Sequence, residues 1–307
     1  KICSANIKDE IGKCTYTQML NSDGGIETDL TVICLNKNYY RIISSAATRE
    51  RDKFHIKKHI SSEIELKDVT DDFCVFGLFG PKSRNLIKTL SKGNFENDDF
   101  KFGTAKYITI EGIKIWTQRL SYVGELGYEL YVKFKDAKKI YELIVEVGKN
   151  FYLSNCGMHT MDVLRMESGF LHWGHDISPE ENQYEAGLNF AISYKKNVKF
   201  IGRDALLKIK DKQLNKRFVM LCLKESNPGE PLLLHDEPIY LDDEIIGVTT
   251  SGNFSFNYNK NLSFGYIKSD LSNEELLKES LYIEIEKKKY SAEILLKPLK
   301  LTNFKNL

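Results

Sequence analysis

The feature that most constrains this chain is a change of texture near residue 199. Before it, strand-like and helix-like segments alternate. After it, KRFVMLCL, EPIYLDD, EIIGVTTSG, LSFGYI, LYIEIEK and YSAEILLK follow at close spacing with no long helix between them. Short β-branched and aromatic runs separated by turns predict a small all-β barrel or sandwich. Mixed elements followed by strands alone make an α+β arrangement. The sequence therefore predicts domains over 1–198 and 199–307, the first subdivided into 1–70 and 71–198. A length of 307 residues is ordinary for two or three such units.

Charge narrows the class of partner. Lys and Arg number 44 against 43 Asp and Glu, a net charge of +1. A dedicated nucleic-acid binder needs concentrated positive charge, and an acidic disordered chain needs the reverse. No apolar run is long enough to span a bilayer, so no membrane partner is expected. The cysteines Cys3, Cys14, Cys34, Cys74, Cys156 and Cys222 form no C-x-x-C pair and no disulfide rhythm. Free thiols in a reducing, cytoplasmic setting are the simplest expectation.

Local patterns fill in the first region. TDLTVICL and YYRIISSA flank Asn36-Lys37-Asn38 as a hairpin, and KYITIEG and IKIWTQRL flank Glu111-Gly112 as another. CVFGLFG reads as a short buried strand ended by Gly80-Pro81, and PKSRNLIKTL as the helix that follows. DAKKIYELIVEVGKNF reads as a helix capped by Asp136. In GMHTMDVLRMESGFL, helical spacing lets Met158, Met161, Leu164 and Phe170 share an inward face. WGHDISPEENQYEAG is a polar loop, long enough to be a candidate functional segment.

Three places carry residues suited to chemistry. In GGIETDL, Glu27 and Asp29 are two apart and share a strand face, as an acid/base pair or as the polar end of a half-buried strand. In YVGELGYEL, Glu125 and Glu129 flank a Gly bend with Tyr122 and Tyr128 interleaved. Such a bend can recognise a planar, nitrogen-rich ring, or can be a structural turn. LHWGHD offers His172, His175 and Asp176 without an evident third metal ligand, so hydrogen-bonded loop histidines are expected and no metal.

YTQMLNSDGGIETDLTV, FGLFGPKSR, YVGELGYELYV, DVLRMESGF, HWGHDISPEENQYEAGLNFAI, FIGRDALL and TTSGNF occur in this order across nearly the whole chain. Together they resemble the aminomethyltransferase (glycine-cleavage T-protein) superfamily, and most closely the folate-binding C-terminal half of the dimethylglycine and sarcosine dehydrogenases. The resemblance implies T-protein-like folate-binding domains followed by a small barrel. It also implies tetrahydrofolate as cofactor and capture of a one-carbon unit from an oxidised N-methyl amine. Asp29 matches the family aspartate facing the reactive folate nitrogens, and Glu129 the glutamate against the pterin. Tyr122 and Tyr16 match folate-contacting aromatics, and Phe102 holds a family tyrosine position without its hydroxyl.

One position departs from the pattern. The stand-alone T-protein carries an arginine where this chain has Met161. That weakens the lipoyl-linked glycine-cleavage alternative. A non-enzymatic folate-binding module is a further alternative, weakened because no cysteine lies between Cys156 and Cys222. No flavin motif is present, so FAD is expected only in a dehydrogenase domain preceding this portion. Because the chain opens on Lys1, the resemblance further implies a fragment, with an unpaired sheet edge or exposed apolar patch in its first domain.

Overall fold

A computed structural model describes residues 1–214, 216–225, 227–300 and 305–306. In chain order the elements are β1 (Cys14–Leu20), β2 (Ile26–Asn36), β3 (Tyr39–Ser44), α1 (Arg49–His59), β4 (Phe73–Phe79) and α2 (Ser83–Leu90). There follow β5 (Thr104–Ile110), β6 (Ile113–Arg119), β7 (Gly127–Lys133), α3 (Phe134–Gly148), α4 (Met158–Glu167) and α5 (Arg203–Ile209). The last region holds β8 (Arg217–Leu223), β9 (Pro238–Leu241), β10 (Glu244–Ser255), β11 (Lys260–Ile267), α6 (Asn273–Leu276), β12 (Leu281–Ile285) and β13 (Lys288–Leu295).

These strands make a three-stranded sheet β1-β2-β3, a four-stranded sheet β4-β7-β6-β5 and a closed barrel β10-β11-β8-β13-β12-β9. The fold is mixed α+β with a C-terminal six-stranded antiparallel barrel, as the run of close-spaced strands predicts. Two compact units are assembled from non-contiguous segments. One gathers the described residues of 1–6, 17–29 and 158–300; the other gathers 7–16, 30–157 and 305–306.

In the second unit, α2 and α3 cover one face of the β4-β7-β6-β5 sheet. Leu86 and Ile87 of α2 and Ile140 and Ile144 of α3 pack with Ile108, Ile115, Leu130 and Val132. The apolar residues of α3 recur at helical spacing, Ala137, Ile140 and Ile144, which makes the inward stripe. The β5–β6 hairpin turns on Glu111 and Gly112, both at positive φ (48° and 76°), the backbone of a two-residue turn that follows strand twist. β2 and β3 pair antiparallel as the other predicted hairpin.

In the first unit, Val219, Leu221, Ile239, Ile283 and Ile294 fill the barrel, and closure leaves it no edge strand. A separate cluster joins Leu20, Ile26, Met166, Phe200 and Leu206 to Cys222 and Phe264.

Three local expectations change. The strand CVFGLFG forms, but its burial is partial and Val75 is exposed, because only one of its faces is covered. Asp136 is not a cap: α3 starts at Phe134 after Lys133, and Asp136 lies in the first turn, where its charge meets the positive helix end. Met158 is 74% exposed and Met161 lies at the surface; the buried end of α4 is Arg165, Met166 and Glu167. Helical spacing located a face but not which turn of it is covered.

Candidate functional site

In the four-stranded sheet, register places Gln118 of β6 opposite Glu129 of β7, and Trp116 opposite Tyr131. Side chains alternate along a strand, so these four share one face, the one turned away from α2 and α3. Ala105 of β5 stands beside Gln118, and Gly77 of β4 beside Glu129, so the neighbours of both polar groups are small. Cys14, Ile33 and Ala105 pack with Trp116 and Tyr131 to form the apolar floor.

The polar groups on this floor are unusual. Gln118 is fully buried, yet neither its Nε2 nor its Oε1 has a hydrogen-bond partner among the described residues. Trp116 Nε1 is likewise unpartnered among them. Glu129 is half-buried and accepts a hydrogen bond of 2.9 Å from Tyr131 Oη. Burial raises its carboxyl above the usual carboxylate range, against the opposing effect of the Tyr131 bond. Burial, and next the charge of Glu129, push the Cys14 thiol up to about 12. An unmade hydrogen bond on a buried group costs about 1–3 kcal/mol, and folded proteins leave few. An amide, an indole N–H and a desolvated carboxyl on one apolar floor suit a flat ring edged with donors and acceptors.

The other aromatic candidates of this unit lie in distinct settings. Tyr16 is two residues beyond Cys14 on the same face of β1 and is 38% exposed. Phe102 is half-buried in the turn before β5, with the Lys305 ammonium 5.5 Å from its ring centre. Tyr122 is half-buried in the loop between β6 and β7. Tyr128, by contrast, points into the α-helical side of the sheet and packs against Phe95 and Phe100, so it is a core residue.

Asp29 belongs to the other unit, on β2. Its Oδ1 accepts a 2.8 Å hydrogen bond from Gln18 Nε2 on β1. Gln18 in turn accepts from Gln183 Nε2 at 2.5 Å, and Gln183 also donates to Ser4 Oγ at 3.0 Å. The segment reaches this point because Gly25 bridges Asn182 and Ile26 N–H donates to Glu181 O at 2.9 Å. Only glycine suits position 25: a Cβ there would lie 1.9 Å from the Pro179 carbonyl oxygen.

The W-G-H-D loop is held differently. Arg165 donates to Asp176 at 2.6 Å, Asp162 at 2.8 Å, Ser251 at 2.7 Å and the Phe170 carbonyl at 3.1 Å. Asp176 also accepts from Thr250, Ser251 and the His172 N–H. On the same helix, Glu167 does not join Arg165 but accepts from Ser255 and Asn257. His172 and His175 stack at 4.6 Å, and the fold adds His235 at 6.4 Å from His175. Among the described residues no group of three or more His, Cys, Asp or Glu is placed to hold a metal ion.

Sequence reasoning missed Gln18, Trp116, Gln118, Tyr131 and Gln183. A glutamine inside an apolar strand is the available signal, since an amide in such a run must find a partner or a ligand.

The chain resembles known proteins along nearly its whole length. The GCVT N-terminal domain model matches residues 1–196, and that of the glycine cleavage T-protein C-terminal barrel domain matches 216–300. Human mitochondrial dimethylglycine dehydrogenase is 31% identical over 301 residues, 97% of this chain and 34% of that protein. The chain thus spans about a third of that relative's length. An aminomethyltransferase of Listeria innocua is 32% identical over 291 residues, covering 95% of this chain and 77% of that one. The crystal structure of the glycine cleavage system aminomethyltransferase T from Bartonella henselae matches with a TM-score of 0.80 at 20% identity, over 95% of this chain and 77% of that one. With its N-terminal model covering well over half of its residues, the chain belongs to the glycine cleavage T-protein family.

Proposed function

We propose that the chain is a folate-dependent one-carbon transferase that captures the one-carbon unit of an oxidised N-methyl amine, of the dimethylglycine or sarcosine type, as 5,10-methylenetetrahydrofolate. The observation that carries this reading is the apolar floor of β6 and β7, with its buried Gln118 amide, unpartnered among the described residues, beside the desolvated Glu129 carboxyl. A pterin edge offers neighbouring amino and ring N–H donors to a carboxylate's two oxygens and a carbonyl to an amide N–H.

Bound tetrahydrofolate supplies the nucleophilic nitrogens of the reaction. Glu129 and Gln118 bind and orient the ring. Tyr16, Phe102 and Tyr122 supply aromatic surface for folate, Phe102 through its ring alone. Asp29 takes up one proton, and the Gln18 bond keeps its carboxylate aimed. Positioning provides most of the gain, since two bound reactants lose little further freedom on reacting. Exclusion of water prevents loss of the one-carbon unit as free formaldehyde. The iminium comes from an FAD-dependent amine dehydrogenase domain, a partner suggested by the dimethylglycine dehydrogenase relative and by the third of its length that this chain spans.

A second reading has its own support. Aminomethyltransferases of Listeria innocua and Halothermothrix orenii are matched over 77% and 71% of their lengths, which favours a stand-alone enzyme accepting an aminomethyl group from a carrier. Met161, in place of the arginine of that branch, speaks for the dehydrogenase type. Calorimetric titration with tetrahydrofolate tests the shared part: binding in the micromolar range, lost in Glu129→Ala, is expected. Absence of binding by the native chain overturns it. Transfer assays with a flavin-oxidised N-methyl amine and with an aminomethyl-loaded lipoyl carrier then separate the two readings.

A further inference from the structure

Ser4, Gln18 and Gln183 are each fully buried, and they form one hydrogen-bonded row that ends on Asp29. The direction of each bond follows from what stands at the two ends. At one end the Ser4 hydroxyl donates to the Ala191 carbonyl at 3.5 Å, and a carbonyl only accepts. At the other, an ionised Asp29 only accepts as well. A row with acceptors at both ends needs one member that donates both ways. Gln183 is that member: its Nε2 gives one proton toward Ser4 Oγ at 3.0 Å and the other toward Gln18 Oε1 at 2.5 Å.

Gln18 has a choice that its own chemistry does not settle. An amide has nearly the same shape when its oxygen and nitrogen exchange places, so packing alone distinguishes them poorly. Turned one way, Gln18 donates to Asp29; turned the other, it sets an oxygen against a carboxylate. Because Gln183 presents a donor to the far edge of Gln18, the Gln18 oxygen stays there and its NH2 stays on Asp29. The cost is visible: Gln183 Oε1 is buried with no partner among the described residues. That acceptor is left unused in a row that fixes the polarity of the amide beside Asp29.

We propose that Gln183 is a positioning residue which, through Gln18, holds Asp29 Oδ1 as a hydrogen-bond acceptor. In turnover the new O–H bond forms on the Asp29 carboxylate, and the proton donor keeps its electron pair. This inference rests on the reading of Asp29 as the proton acceptor.

The experiment uses the whole chain as wild type, Gln183→Met, Gln183→Glu and Asp29→Asn. It follows the side-chain NH2 resonances of Gln18 by NMR, and in parallel the kcat and tetrahydrofolate KM of transfer from a flavin-oxidised N-methyl amine. In Gln183→Met, the Gln18 resonances should lose their protection from exchange. The kcat should fall roughly tenfold to a hundredfold while KM for tetrahydrofolate stays within about twofold. Gln183→Glu keeps the volume and exchanges the donor for an acceptor, so it should give the same pattern in a chain that stays folded. Unchanged Gln18 resonances in both variants, or a loss confined to KM, overturn the positioning role. Asp29→Asn separates the two ideas. Full transfer by that variant, with Gln18 still responding to Gln183→Met, removes Asp29 as proton acceptor and with it the catalytic half of the inference.

Discussion

The guanidinium of Arg165 lies 2.6 Å from a carboxylate oxygen of Asp176, and both side chains are closed off from water, at 2% and 0% exposure. A buried ion pair gains over its desolvation cost only when every remaining donor is used. Arg165 makes three further hydrogen bonds, to Asp162, Ser251 and the Phe170 carbonyl. The pair thereby ties α4, the W-G-H-D loop and β10 into one piece of the first unit.

Replacing Arg165 by Met leaves Asp176 charged, buried and without its cation. Stability should fall by about 3–5 kcal/mol. Urea unfolding measures it, and a loss under about 1 kcal/mol would mean that Asp176 finds other compensation from Thr250 and Ser251.

Glu129 gives a pH signature. Burial raises its carboxyl in the folded chain, so the folded state keeps a proton that the unfolded chain has released. Stability contributed at this position is therefore greatest in acid and declines as pH rises above the ordinary carboxylate range of about 4. Glu129→Gln should remove that decline and be relatively more stable than the native chain at neutral pH, while losing folate binding. Unfolding midpoints of both proteins across pH 4 to 7 decide it. Parallel curves for the two would contradict the assignment.

At Gly25 the constraint is space. Its missing Cβ would lie 1.9 Å from the Pro179 carbonyl oxygen and 2.8 Å from Asn21 Nδ2. Gly25→Ala must push the 178–182 loop away, at about 1–3 kcal/mol. The same shift displaces Gln183, so this variant should also lower transfer activity beyond what its thermal stability explains.

The thiols supply a simple check. Cys156 is exposed, while Cys3, Cys14, Cys34 and Cys222 are buried and Cys74 is partly covered. Burial holds Cys3 up to about 11 and both Cys14 and Cys222 up to about 12. An aromatic disulfide reagent at neutral pH should modify Cys156 first, and the buried thiols only after unfolding. Fast reaction of several thiols in the native chain would contradict this packing.

What was legible in the sequence follows from the range of the interactions. Strand spacing announced the barrel because each strand carries its own apolar run, and Glu111-Gly112 announced its hairpin because the turn needs positive φ. Asp29 and Glu129 enter as candidates through motifs. The partners that define them were not: Gln18 and Gln183 are 165 residues apart, and Gln118 meets Glu129 only through sheet register. His235 likewise joins His175 from a distant loop. The misplaced burial of Met158 has the same origin, since helical spacing is local whereas the surface that covers a helix is not.

The interleaving of the two units sets the order in which the chain is able to mature during synthesis. Residues 17–29, which carry Gln18 and Asp29, pack with segments that begin at residue 158. At ribosomal speeds the intervening stretch takes roughly 6–26 s to emerge. Residues 30–157 have most of their own partners already present in that interval, while Leu20 and Ile26 must wait for Met166, Phe200 and Phe264. A nascent chain halted before the barrel therefore lacks the residues that cover Leu20 and Ile26 in the finished fold.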